Sequence, residues 1–195
     1  MTDIREIHDT AREKNIPVMK NSGMSFLLDY IRDHENIRDI LECGTAVGYS
    51  AIRMAMVRWD MTVDTLETDP GMYEQACRNI REFHLEDRIH PYLCDAALFE
   101  TRKIYDLVFV DAAKSQYQRY LEHFYNNTVP GSVFIFDNLS FHGIVDDPKL
   151  SHNRSTVQMT RKILKFRDRL LKDERFETVY YPDLGDGVAV SKRIR

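Results

Sequence analysis

Short apolar runs alternate with helical patterns along most of the chain. Five runs have the length and composition of buried strands: residues 39–43, 62–67, 89–94, 106–110 and 132–137. Helical patterns at residues 50–59, 70–83 and 117–125 separate them. This alternation is typical of a doubly wound α/β sheet whose strands are mostly parallel.

The two ends of the chain complete the pattern. Helices are predicted at residues 3–14 and 22–34, joined by an extended connection around Pro17, because proline disfavours a helical residue before it. A long amphipathic helix is predicted at residues 156–172. Strands at residues 177–181 and 188–192 are separated only by Pro, Asp and Gly turn formers, so an antiparallel hairpin is expected. The expected fold is one Rossmann-like α/β domain over residues 1–195, with a seven-stranded sheet in a core over residues 37–195.

Composition agrees with one domain and bears on its cellular location, its cysteines and its capacity to bind nucleic acid. The chain has 195 residues, of which 43% are hydrophobic, enough for one core. No apolar run approaches the roughly 20 residues that span a bilayer, and the charged N-terminus lacks a signal-peptide pattern, so a cytoplasmic protein is expected. Cys43, Cys77 and Cys94 lack metal-ligand spacing and are expected to be reduced. The net charge of -4 argues against wholesale nucleic-acid binding but permits a local basic patch.

A glycine-containing loop follows the first predicted strand. Gly44 and Gly48 would let the backbone approach a ligand closely, beside the free N–H groups of the next helix. Their spacing fits neither the GxGxxG dinucleotide fingerprint nor the P-loop. A flat or anionic ligand is therefore predicted there, and an ordinary strand-to-helix turn is the alternative.

Acids end the second and third strands at the same predicted sheet edge. Glu67 is placed to accept hydrogen bonds from both hydroxyls of a ribose. Its alternative is a solvated acid before a helix capped by Asp69. Asp95 is suited to accept from an adenine amino group or to cap a short helix, and these two roles are compatible.

The central strand at residues 107–110 ends in Asp111, with Lys114 three residues later. The neighbouring strand ends in Asp137 and Asn138. Parallel strands present these oxygen donors at one edge, where they suit Mg²⁺ or another hard divalent ion. Lys114 would then be placed as a general base. The alternatives are a plain turn at Asp137–Asn138 and a surface lysine at a helix start.

Eight segments in collinear order carry a family resemblance. They are PVMKNSGMSFLL, LECGTAVGYSAIRMA, TLETD, DRIHPYLCDA, YDLVFVDAAKSQYQRYLEHF, VFIFDN, FHGIV and GDGVAVSKR. With them the chain resembles the metal-dependent class I O-methyltransferases of the catechol and caffeoyl-CoA type, which use S-adenosylmethionine. It is most similar to the bacterial tRNA 5-hydroxyuridine methyltransferases.

The resemblance implies a cofactor, a metal, a base and an assembly. S-adenosylmethionine would contact seven residues: Met19, Gly44, Ser50, Glu67, Asp95, Ala96 and Asp111. Mg²⁺ or Mn²⁺ would be held by Asp111, Asp137 and Asn138, with Lys114 and Asp111 as the catalytic pair. The helices of residues 1–36 would cover the site, and the protein would be a homodimer.

The expected reaction is O-methylation of 5-hydroxyuridine at the tRNA wobble position, giving 5-methoxyuridine. A basic strip on the late helix is the candidate RNA contact, although a solvated helix face explains it equally well: Arg161, Lys162, Lys165, Arg169 and Lys172. His142 is a candidate pocket-lining residue, and the other histidines are given no catalytic role. The alternatives are methylation of small catechols or phenols and a non-catalytic nucleoside-binding module.

Overall fold

The computed structural model describes residues 3–195, and within them it contains seven strands and six α-helices. The helices are α1 (Ile4–Glu13), α2 (Asn21–Asp33), α3 (Tyr49–Ala55), α4 (Pro70–Glu82), α5 (Tyr117–Phe124) and α6 (Arg154–Leu170). The strands are β1 (Asp39–Cys43), β2 (Thr62–Glu67), β3 (Ile89–Leu93), β4 (Leu107–Val110), β5 (Val133–Phe136), β6 (Phe176–Tyr181) and β7 (Val188–Arg193). Short 3₁₀ turns include Ala96–Leu98, Lys114–Gln116 and Pro148–Leu150.

All seven strands lie in one sheet, in the order β3-β2-β1-β4-β5-β7-β6. The first five strands are parallel, and β7 pairs antiparallel with both β5 and β6. The predicted fold class, a mostly parallel sheet with a C-terminal hairpin, is confirmed. The hairpin enters the sheet through its second strand, so β6 forms the outer edge.

Three helix boundaries differ by at least two residues from the sequence pattern: the end of α3 and both ends of α6. Helix α3 ends at Ala55 rather than near Trp59, because the chain turns there and Arg58 donates hydrogen bonds to the carbonyls of Ile31 and Ile37. Helix α6 begins two residues early because the Asn153 side chain accepts from the N–H groups of residues 155 and 156. Trp59 is consequently 85% exposed.

Each face of the sheet packs on its own helices. Leu107 and Phe109 of β4 face the layer that includes α1 to α4, whereas Val108 and Val110 face α5 and α6. Burial on both faces explains why the central strands are continuous apolar runs. The carboxyl ends of β1, β2, β4 and β5 therefore meet at one edge, between the two helical layers.

Among the described residues, no helix is both long and apolar enough to cross a membrane.

Candidate active site

A cavity of about 360 Å³ opens at the carboxyl ends of β1, β2 and β4. Its lining includes every residue predicted to contact the cofactor: Met19, Gly44, Ser50, Glu67, Asp95, Ala96 and Asp111. Lys114 also lines it. The structure therefore brings the predicted cofactor residues into one pocket, together with the predicted base.

The glycine loop passes directly against the end of β4. Gly44 has φ of 101°, and a Cβ added to it would lie 2.2 Å from the carbonyl oxygen of Asp111. The backbone N–H groups of Gly44 and Thr45 donate to Leu66 O at 3.0 and 3.2 Å. Only glycine fits this close approach, which fixes the loop between β2 and β4.

Glu67 is held rigidly by backbone donors at the end of β2. Its Oε2 accepts from Ala46 N at 2.8 Å, and its Oε1 accepts from Thr68 N and Asp69 N at 2.8 and 2.9 Å. A carboxylate oxygen has two lone-pair directions, so Oε2 keeps one that is not used by these contacts. The Asp69 side chain caps α4 through Met72 N. Of the alternative interpretation, the cap at Asp69 is therefore present. Glu67 itself is not freely solvated, because backbone donors hold both of its carboxylate oxygens.

Asp95 combines a cap with a place in the pocket wall. Its side chain accepts from Ala97 N at 2.9 Å at the start of the 3₁₀ turn Ala96–Leu98. The capping role predicted as an alternative is therefore present. Since a carboxylate accepts several hydrogen bonds, the cap leaves acceptor capacity toward the cavity.

Sequence reasoning missed Glu42, a fully buried carboxyl group beneath the glycine loop. Ser50 Oγ and Thr65 Oγ1 both donate to it, the latter at 2.5 Å. Burial raises the pKa of Glu42 to about 8, against the effect of these hydrogen bonds, and the charge of Asp111 adds to the shift. The available signal was an acid within the apolar run of residues 40–43, two residues before Gly44.

The predicted metal residues meet at the ends of β4 and β5. Asn138 Nδ2 donates to Asp111 Oδ1 at 2.9 Å, and Asn138 N donates to Asp137 Oδ1 at 2.7 Å. Burial, followed by the neighbouring charge of Asp111, raises the pKa of Asp137 to about 7. Burial also raises the pKa of Asp111, while Lys114 and Asn138 oppose that shift. Two carboxyl groups are thus held together in a poorly solvated place.

This donor set fits a hard divalent cation. Asp111, Asp137 and Asn138 offer carboxylate and amide oxygens, and a cation would offset the repulsion between the two carboxylates. Rotating the Asn138 amide would turn its oxygen, rather than its NH₂ group, toward the carboxylates. Within residues 3–195, no cluster of three His, Cys, Asp or Glu side chains has metal-binding geometry, so the candidate set depends on the asparagine.

Lys114 begins a 3₁₀ turn beside Asp111. Its Nζ lies 3.9 Å from Asp111 Oδ1, and its side chain is only 20% exposed. The ammonium group opposes the burial-driven rise in the pKa of both Asp111 and Asp137. The alternative of a freely solvated surface lysine does not match this partly buried placement.

Two further predicted features lie beside the pocket. His142 is not among the residues that line the cavity, and its side chain is 64% exposed, near Asp186. The five basic residues of the late helix are exposed, and none forms an ion pair with a described acid: Arg161, Lys162, Lys165, Arg169 and Lys172. Helix α6 packs against the 3₁₀ turn that starts at Lys114, but none of the five basic residues lines the cavity.

Comparisons with known proteins agree with this arrangement. The sequence model of a family described as O-methyltransferase matches residues 1–194. A caffeoyl-CoA O-methyltransferase of Populus kitakamiensis is 26% identical over 188 residues, covering 92% of this chain and 78% of the relative.

Solved structures extend the likeness to three dimensions. A Staphylococcus aureus protein, provisionally described as a caffeoyl-CoA O-methyltransferase, superposes with a TM-score of 0.93 at 28% identity, covering 99% of this chain and 93% of the other. The O-methyltransferase of Bacillus cereus, solved in complex with SAH, gives a TM-score of 0.82 at 24% identity, covering 99% of this chain and 92% of the other. At the latter identity the likeness is one of fold.

Proposed function

The chain belongs to the O-methyltransferase family, and we propose that it transfers the methyl group of S-adenosylmethionine to a hydroxyl oxygen. The observation that carries this proposal is the pocket itself, where the glycine loop, Glu67, Asp95 and Asp111 line one cavity. The presence of SAH in the Bacillus cereus relative supports the choice of cofactor.

Each part of the pocket suits one part of S-adenosylmethionine. Glu67 accepts from the ribose hydroxyls, Asp95 accepts from the adenine amino group, and Asp111 lies at the methionine end. The backbone donors that fix Glu67 preorganise its carboxylate before the ligand arrives. The cofactor is thereby oriented along the sheet edge, with its sulfonium toward Lys114.

The proposed reaction breaks the sulfonium C–S bond as the acceptor oxygen forms the new C–O bond, leaving S-adenosylhomocysteine. The neutral amine form of Lys114 takes the proton of the acceptor hydroxyl and becomes an ammonium group. A divalent cation held by Asp111, Asp137 and Asn138 would stabilise the negative charge that develops on the acceptor oxygen. Because these residues position both reactants and need no covalent enzyme intermediate, orientation supplies much of the rate enhancement.

We propose tRNA carrying 5-hydroxyuridine at the wobble position as the acceptor. The exposed strip of α6 supports this choice, because unpaired cations along one helix can contact successive phosphates. Small catechols are the second candidate, since the similar proteins include a caffeoyl-CoA O-methyltransferase of Populus kitakamiensis. Both acceptors present a hydroxyl group beside a second oxygen.

Calorimetric titration with S-adenosylhomocysteine tests the cofactor assignment. Glu67→Gln should weaken binding by at least about 10-fold, because an amide NH₂ group would face the backbone donors that now hold the carboxylate. Glu86→Gln is the control, since Glu86 is exposed and is not part of the pocket lining. Equal affinities for the wild type and Glu67→Gln would contradict the assignment.

A further inference from the structure

Asp186 is a buried acid in the turn between β6 and β7, next to the candidate metal residues. It is 6% exposed. Its Oδ1 accepts from His142 N at 2.7 Å and from Lys20 Nζ at 3.3 Å. Its Oδ2 lies 3.4 Å from His142 Nδ1 and has no hydrogen-bond partner among the described residues. A buried carboxylate with one unpaired oxygen is costly, so a role beyond turn formation is indicated.

The contacts of Asp186 join three segments that are distant in sequence. Lys20 belongs to the connection that leads from Met19 into α2, and His142 belongs to the loop after β5. Backbone bonds reinforce the second junction, since Leu139 N and Ser140 N donate to the carbonyls of residues 187 and 186, both at 2.8 Å. Gly185 N donates to Ser22 Oγ at 3.2 Å and reinforces the junction between the turn and the Lys20 segment. The turn therefore ties the N-terminal wall of the cofactor pocket to the loop that begins at Asn138.

That loop has a backbone that requires support. Asn138, Phe141 and His142 have φ angles of 63°, 43° and 56°. For Phe141 and His142 this left-handed conformation is disfavoured, and such residues persist when their surroundings fix them. The bond from His142 N to Asp186 fixes the far end of the loop, while Asn138 occupies the near end beside Asp111 and Asp137.

We propose that Asp186 is a positioning residue for the methyl acceptor. It holds the loop after β5 through His142 N, and it holds the Met19 connection through Lys20. Asn138 and the acceptor side of the pocket are thereby kept in register with the cofactor side. The role depends on the proposed function, because only a transfer reaction requires the two sides to be aligned. Asp186 itself contacts neither reactant in this assignment.

Three variants of the full-length chain separate this role from a general structural one. Asp186→Ala removes the acceptor of His142 N and the partner of Lys20. Asp186→Asn keeps an oxygen for His142 N but removes the charge. Asp183→Ala is the matched control, because Asp183 is an exposed acid of the same turn whose side chain has no partner among residues 3–195.

Kinetics provide the first readout, with catechol and with 5-hydroxyuridine-containing tRNA as the acceptor probes. Asp186→Ala should raise the KM for the acceptor by at least about 10-fold. The KM for S-adenosylmethionine should stay within about twofold of wild type, because the bond from Gly185 N to Ser22 Oγ still holds the Met19 connection. Asp186→Asn should recover part of the loss, and Asp183→Ala should behave as wild type. Equal changes in the two KM values, or no change in either, would overturn the role.

Hydrogen–deuterium exchange gives a second readout that needs no turnover. Amides of residues 139–147 should exchange at least about 10-fold faster in Asp186→Ala, and the affinity for Mn²⁺ alone should fall. The affinity for S-adenosylhomocysteine should be retained. If Asp186→Ala does not fold, Asp186→Asn carries the comparison, with a smaller increase in exchange because a neutral amide oxygen is a weaker acceptor for His142 N. Unchanged exchange would reject the role of Asp186, whereas a wild type that binds no S-adenosylhomocysteine would reject the proposed function instead.

Discussion

Glu42 shows how a single buried group can make stability depend on pH. The residue is fully buried, and burial raises the pKa of its carboxyl group to about 8. A carboxyl group whose pKa is higher in the folded state than in the unfolded state binds more protons when folded. Its contribution therefore favours folding at low pH and is lost as the pH rises through about 8.

Glu42→Gln should remove this dependence. Relative to the variant, wild type should lose up to about 3 kcal/mol of unfolding free energy between about pH 5 and about pH 8. Urea denaturation of both proteins at the two pH values measures the difference. A difference that does not change with pH would mean that Glu42 is ionised in the folded protein throughout this range.

In the proposed mechanism, Asp111 and Lys114 have separable roles. Both line the cavity, but only Asp111 also bonds to Asn138 of the candidate metal set, whereas Lys114 is proposed to act on the acceptor proton. Lys114→Ala should lower kcat by about 10²-fold, the usual contribution of a general base, and Asp111→Ala should lower it further. Single-turnover rates measured at saturating S-adenosylmethionine test this order. Equal or reversed losses would show that Asp111 is not the centre of the site.

At the scale of elements, α6 presents its basic strip on the face of the sheet opposite α4. Reversing Lys165 and Arg169 to Glu should weaken tRNA binding and lower the salt slope of log K by about two. Arg81→Glu on α4 is the control, because it makes the same charge reversal at a single site on the other face of the sheet. Filter binding at several salt concentrations would detect the effect. Identical slopes for all variants would leave the strip as a solvated helix face.

Most elements could be predicted because their signals are local. The apolar strands 107–110 and 133–136 carry enough β-branched and aromatic residues to be recognised without the fold, and their terminal acids followed from strand direction. The end of α3 could not be predicted, since Arg58 fixes the turn through carbonyls more than 20 residues earlier in the chain. Local patterns carry no information on such partners.

At the scale of the whole molecule, the missed features depend on contacts between distant segments. Asp186 read as a turn former, and its role became visible only when the fold placed it against Lys20, 166 residues away. The buried environment of Glu42 likewise includes a hydrogen bond from Thr65 on the neighbouring strand, which the local sequence did not reveal. That Gly44, Glu67, Asp95 and Asp111 line one cavity was predictable because a parallel sheet collects strand ends at one edge, whereas the supporting contacts needed the tertiary structure.

Transfer of a labelled methyl group directly tests whether this protein methylates an acceptor oxygen with S-adenosylmethionine. Wild-type protein is incubated with S-adenosylmethionine labelled on its methyl group, with hydroxyuridine-containing tRNA or catechol as acceptor, with and without EDTA. We expect label on an oxygen of the acceptor, preferentially on the tRNA, and loss of transfer with EDTA. Labelling of catechol alone would contradict the proposed acceptor, and EDTA-insensitive transfer would contradict the metal residues. Absence of any transfer, together with absence of S-adenosylhomocysteine binding, would contradict the proposed methyl transfer from S-adenosylmethionine.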